Sequence, residues 1–156
     1  MMTTRHPHLL KRLRRNASGA SAAEFALVLP IMTVLLFGAV DVSGLAWAQM
    51  QVGAAARAGA TYALTHEYDV AAITSAVTNA TGFPVTAGDI SQAAGCPDDA
   101  SGITLVDDDA VPCPDTGDAP GDYVTVNADG TYTTIFGWPG LPDSVDLSAR
   151  SQVRIS

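Results

Sequence analysis

Between Arg15 and Gln49 the chain carries only two charged residues, Glu24 and Asp41, in a setting that is otherwise mostly apolar. Such a segment ends up either in a bilayer or in a core. The run from Phe25 to Val40 is short for a span, but Glu24 and Asp41 can reach the two interfaces and Leu45 to Trp47 lengthen it. As a helix, Phe25 to Trp47 covers about 33 Å, enough to cross a hydrocarbon layer. Pro30 lies inside this stretch, where it removes one backbone donor and collides with the Ala26 carbonyl, so a kink or local unwinding over 26–30 is expected.

The charge distribution gives the span a direction. The net charge of −8 hides an asymmetry: residues 1–19 hold Arg5, Lys11, Arg12, Arg14 and Arg15 and no acid, whereas the rest holds all sixteen acids against Arg57, Arg150 and Arg154. Basic residues beside an apolar segment stay in the cytoplasm, which leaves the acidic remainder outside. An acidic exterior lacks the basic footprint that nucleic acid requires, so no nucleic-acid partner is expected. The only two cysteines, Cys96 and Cys113, fall in the exported part, and an even count there favours a disulfide.

Beyond the apolar segment the helical spacing persists through Leu45, Ala48, Val52, Ala55, Ala56, Gly59, Ala63 and Leu64, which predicts one helix running unbroken to about Leu64. Its side chains are small, with Gly38, Gly44, Ala48, Gly53, Ala56 and Ala60 able to admit another backbone, either from the globular domain or from a neighbouring subunit. Residues 69–80 read as a second helix, with Asp69 as N-cap, Val70, Ile73, Ala76 and Val77 on one face, and Gly82 as the stop. From Phe83 to Gly121 glycine, proline and aspartate dominate, and only Ile103 to Val106 reads as a strand in what is otherwise a long loop tied by the cysteines. Tyr123 to Val126 and Thr131 to Phe136 flank Asn127, Ala128, Asp129 and Gly130, which predicts a hairpin with Gly130 supplying positive φ. In the last strand Val145, Leu147, Ala149, Val153 and Ile155 alternate with polar residues, giving one buried and one wet face. The fold class that follows is α+β, a helical layer against a three-stranded antiparallel sheet.

No catalytic constellation emerges. His6 and His8 sit in the basic leader, His66 stands alone at the end of the long helix, and no G-x-S-x-G or S-x-x-K pattern accompanies the serines. The acid runs Asp98-Asp99 and Asp107-Asp108-Asp109 lack calcium-loop spacing, and the cysteines have no partner histidine for zinc, so neither metal nor cofactor is expected. Phe136 and Trp138, with Pro139 and Leu141, form a candidate contact surface or an apolar cover for the sheet edge.

Glu24 remains to be explained, because a carboxylate at the edge of a span costs a few kcal/mol unless it snorkels or finds a partner. A cut after Gly19 would make Glu24 the fifth residue of a chain beginning at Ala20, followed by Phe25. The run GASAAEFALVLP resembles a type IV prepilin-like signal, and more closely the TadE-like pseudopilins of the tight adherence (Flp) pilus machinery. A second resemblance follows at Ala56, Arg57, Ala58, Gly59, Ala60, Thr61, Tyr62 and Ala63, and together the matches cover roughly residues 15–64. The resemblance implies a pilin-like fold, cleavage by a prepilin peptidase between Gly19 and Ala20, and an assembly role for Glu24 and Phe25, the acid pairing with the new amine of another subunit. It also implies a cleaved leader 1–19, a long helix 20–64 with its span at about 25–47, and an exported domain 65–156. The partners it implies are the prepilin peptidase, other pilins and pseudopilins, the assembly platform and the lipid bilayer; the role is structural, without turnover.

Two other readings fit parts of the chain. Ala46-Trp47-Ala48 is an A-x-A-like signal peptidase site that would release a secreted or periplasmic binding module, although Glu24, Pro30 and Asp41 are awkward in a signal core. An uncleaved single-pass anchor carrying a sensor domain has the same topology with an intact leader.

Overall fold

The computed structural model describes residues 18–98, 102–106, 112–114, 116–137 and 142–155. The basic leader up to residue 17, Asp99, Asp107 to Asp109 and the Trp138, Pro139 and Leu141 part of the aromatic segment lie outside them. Among the described residues two helices, α1 (Ser18–Thr65) and α2 (Val70–Thr78), precede four strands, β1 (Val85–Asp98), β2 (Gly102–Leu105), β3 (Gly121–Thr133) and β4 (Ser144–Arg154). The α+β class holds, but the sheet has four antiparallel strands, in the order β2-β1-β3-β4. The chain divides into two compact units at Asp41 and Val42.

The first unit is the α1 segment up to Asp41. Helical structure is unbroken across 26–30 despite Pro30, so no unwinding occurs there. Thr33 folds its hydroxyl back onto the Leu29 carbonyl at 2.8 Å, a bond that hides the hydroxyl from an apolar medium. From Phe25 to Val40 the large side chains are exposed, Leu27 at 76% and Phe25 at 65%. Among the described residues α1 is the one helix long and apolar enough to cross a membrane.

The second unit is built on the outer part of α1. Ala48, Val52, Ala55, Ala56, Ala60 and Ala63 are buried with Ile73 and Val77 of α2 and with Val124, Val126, Ala128 and Tyr132 of β3 in one core. α2 begins where Asp69 accepts the Ala71 amide at 2.9 Å, as its N-cap position predicts. It ends earlier than Gly82, at the Asn79 cap, whose amide returns to the Ser75 carbonyl.

Two expectations about the strands are corrected. The expected hairpin at Asn127 to Gly130 does not form, because β3 runs straight through these residues, paired on one side with β1 and on the other with β4. Gly130 has no positive φ; instead a Cβ there would lie 3.0 Å from both Phe83 and Val52. The region expected as a long loop contains β1, which pairs with nine residues of β3 and shifts register between Ala87 and Ile90. That shift is a bulge: three steps along β1 answer two along β3, and Asn127 Nδ2 donates to the exposed Asp89 carbonyl at 3.1 Å. β4 matches its predicted alternation, with Val145, Leu147, Ala149 and Val153 against the core.

Candidate functional site

The segment that carries the cleavage and assembly candidates opens α1. Gly19 and Ala20 lie at the start of the described part of α1. Glycine lowers helix stability locally, so the backbone at Gly19 is easier to draw into an extended form than one flanked by alanine. Nothing lies within 4 Å of the position a Gly19 Cβ would take, and Glu24 and Phe25 are exposed. A helix beginning at Ala20 would hold its amine at the positive end of the helix dipole, an unfavourable place for a cation. Glu24 lies one turn further on, with its side chain exposed.

The small residues of α1 divide by what faces them. Gly59 packs against both other layers: a Cβ there would stand 2.6 Å from Val77 Cγ2 of α2 and 2.9 Å from Val126 Cγ1 of β3. At Gly44 a Cβ would run into the Tyr132 hydroxyl. Gly53 faces only the end of the Arg57 side chain, at 3.8 Å, and Gly38 has nothing within 4 Å. Close packing against the globular domain therefore accounts for Gly44 and Gly59, and leaves Gly38 and Gly53 without a role inside the monomer.

Gln49 makes a contact that no local pattern announces. Its Nε2 donates to the Ser148 carbonyl at 3.0 Å across 99 residues of sequence. The bonds Ile155 N–H to Asp122 and Thr134 N–H to Asp143 place the odd-numbered residues of β4 in the hydrogen-bonded pairs with β3. Even-numbered residues, Ser148 included, therefore turn their backbone groups to the free edge of the sheet, and Gln49 covers that edge at its middle.

At the opposite end of the sheet Cys96 and Cys113 are joined by a disulfide with Cα atoms 5.4 Å apart, and both are buried. Cys113 also holds a small turn, donating its amide to Asp118 and accepting from Gly117, both at 2.8 Å. His66 stacks on Tyr62 with ring centroids 4.1 Å apart, and its Nδ1 lies 2.9 Å from the Thr65 hydroxyl at the end of α1. Among the described residues no group of three or more His, Cys, Asp or Glu side chains is placed to hold a metal ion. Asp41 is nearly covered, at 4% exposure.

A stretch beginning at Gly19 and ending next to Tyr62 thus joins the exposed apolar helix to the small-residue face. Residues 19–61 match the family of TadE-like proteins. The TadE-like match therefore takes in Gly19, Ala20, Glu24 and Phe25 together with Gly44, Gln49 and Gly59, and stops short of α2 and the sheet. No curated protein and no solved structure matches the chain.

Proposed function

We propose that the chain is a minor pseudopilin that takes part in assembling a tight adherence (Flp) pilus, acting by helix packing and subunit docking without turnover. Prepilin peptidase cuts between Gly19 and Ala20. The apolar part of α1, about 25–47, holds the product in the cytoplasmic membrane, with the domain 65–156 outside. The observation that carries this reading is the TadE-like match over 19–61, which starts at the proposed cut and includes the whole exposed apolar segment.

Glu24 then works in the assembly. In low dielectric an unpaired carboxylate is costly, and pairing with the Ala20 amine of a neighbouring subunit neutralises both charges and sets the axial register. Pilins, pseudopilins and the membrane platform are the partners of that step. Glu24→Leu is expected to insert and fold normally yet fail to support pilus formation in a strain lacking the wild-type copy; normal piliation would remove the acid from the mechanism.

The structure weighs on the signal peptidase alternative. Ala48 is fully buried within α1, and Gln49 beside it holds the edge of β4. Cleavage there would sever the helix that forms one side of the core, and a protease needs extended, accessible backbone.

N-terminal sequencing of the protein from its native membranes tests the proposal. Ala20 is the expected first residue. A chain starting at Gln49 in the soluble fraction overturns both the span and the role of Glu24, and an intact leader in the membrane fraction points to the uncleaved anchor.

A further inference from the structure

We infer that the C-terminal half of the β4 edge, at Arg150 and Gln152, is a docking site for an extended acidic segment of another protein, which adds to the sheet as a further strand. The inference stands apart from cleavage at Gly19, since it uses only the sheet and Gln49. All eleven residues of β4 pair with β3 without a register shift, so the free edge of this strand is straight. It holds neither a proline nor a bulge, two usual means of blunting an edge, whereas β2 at the other edge is only four residues long.

Gln49 closes this edge at the Ser148 carbonyl. The next two even-numbered residues are Arg150 and Gln152, and their backbone N–H and C=O groups face outward because the odd-numbered residues hold the ladder to β3. Among the described residues no bond reaches those groups from the free side. Two donors and two acceptors are thus presented in strand spacing, the set that an added strand uses. Ala149 and Val153, on the core face of the same half, are only partly buried, so a further strand would also remove apolar surface from water.

The face of β4 turned away from α1 states which strand fits. Arg150 is exposed there, and Gln152 follows on the same row with its Nε2 covered and without a hydrogen-bond partner. An acceptor brought to the edge would relieve that donor. Residues 20–156 carry sixteen acids against three arginines, so an acidic segment is repelled over most of this surface and drawn to Arg150. A second copy fits poorly. With Ser148 taken, pairing β4 with itself about a two-fold axis sets Arg150 opposite or diagonal to an arginine of the other copy, where like charges destabilise. The occupant therefore alternates apolar residues, beside Ala149 and Val153, with acidic ones, beside Arg150 and Gln152.

The test titrates a short capped peptide, valine alternating with glutamate, into the full chain in detergent and reads hydrogen exchange at the Arg150 and Gln152 amides. The expected result is binding that slows exchange at both, and that weakens about fivefold when lysine replaces glutamate in the peptide. Arg150→Glu, an exposed change, should reverse that preference. Gln152→Pro deletes an outward N–H and leaves the ladder to β3 whole, so it should stay resistant to protease and lose the peptide; if that variant misfolds, Arg150→Glu still decides. Absence of binding, equal affinity for the two peptides, a preference that Arg150→Glu leaves unchanged, or binding without protection of the two amides each overturns the inference. Protection that grows with the concentration of the chain, without peptide, overturns it in favour of a second copy.

Discussion

The two parts of α1 differ less in hydrophobicity than in side-chain size. From Phe25 to Val42 the exposed side chains are bulky leucine, valine, isoleucine, methionine and phenylalanine, whereas from Gly44 to Ala63 the fully buried face is alanine and one valine around Gly59, with Leu45 and Tyr62 packed at its margins. Both parts are apolar, so hydrophobicity does not distinguish them. Size does, because a flat helix face lets a sheet approach to direct contact, and a studded one offers its surface to hydrocarbon chains that can flow around it. Glycine inside a helix costs roughly 0.5–1 kcal/mol relative to alanine, so a glycine kept there must gain something in return, and only two of the four do so within the monomer.

Substitutions can break that contrast. The largest effect is expected at Gly59, where Gly59→Leu forces a side chain into Val77 and Val126. The loss should reach about 3 kcal/mol or more, as severe overpacking does, and chemical denaturation of the detergent-solubilised chain would read it. A stability equal to wild type would mean that α1 does not pack on the domain as described.

Removing the disulfide tests the opposite end of the sheet. Cys96→Ser with Cys113→Ser should cost about 2–3 kcal/mol, since the bond closes a loop of 17 residues. The cost should be local: proteolysis should open the β1–β2 end while the Gln49-capped edge of β4 stays protected. Loss of protection at both ends would show that the contact with α1 depends on the far end of the sheet.

Gly38→Ala should change stability least, by roughly 0.5–1 kcal/mol in favour of the helix, because nothing in the monomer meets a Cβ there. Its value lies in a different readout. A normally stable Gly38→Ala chain that no longer supports piliation would assign this glycine to a contact with another subunit, and normal piliation would leave it without one.

What the sequence revealed depended on whether the deciding contact was local. The helical spacing from Leu45 to Leu64, the Asp69 cap and the alternation of β4 all rest on neighbouring residues, and each was legible. β1 was not, because its bulge changes the phase of alternation: Val85 and Ala87 face the core before it and Ile90 after it, so odd positions give way to even ones. Asn127 to Gly130 misled for a related reason. Four turn-forming residues lie within a central strand, where pairing on both sides overrides their local preference, and Asn127 spends its amide on the bulge of β1. At the candidate site Gly19, Ala20, Glu24 and Phe25 were singled out by the resemblance of their run to a prepilin-like signal. Gln49 and Tyr132 could not, since what gives each its place lies far along the chain.

The bond from Gln49 to Ser148 also has a bearing on time. Synthesis delivers the helix first and β4 last, so the surface that β4 and β3 will cover is made long before its cover exists. While the chain is being made the alanine face stands uncovered, and the core closes only after β4 has been added. A chain truncated before Ser144 would carry every residue of the matched segment and yet be left with an open β3 edge that any neighbouring strand can take.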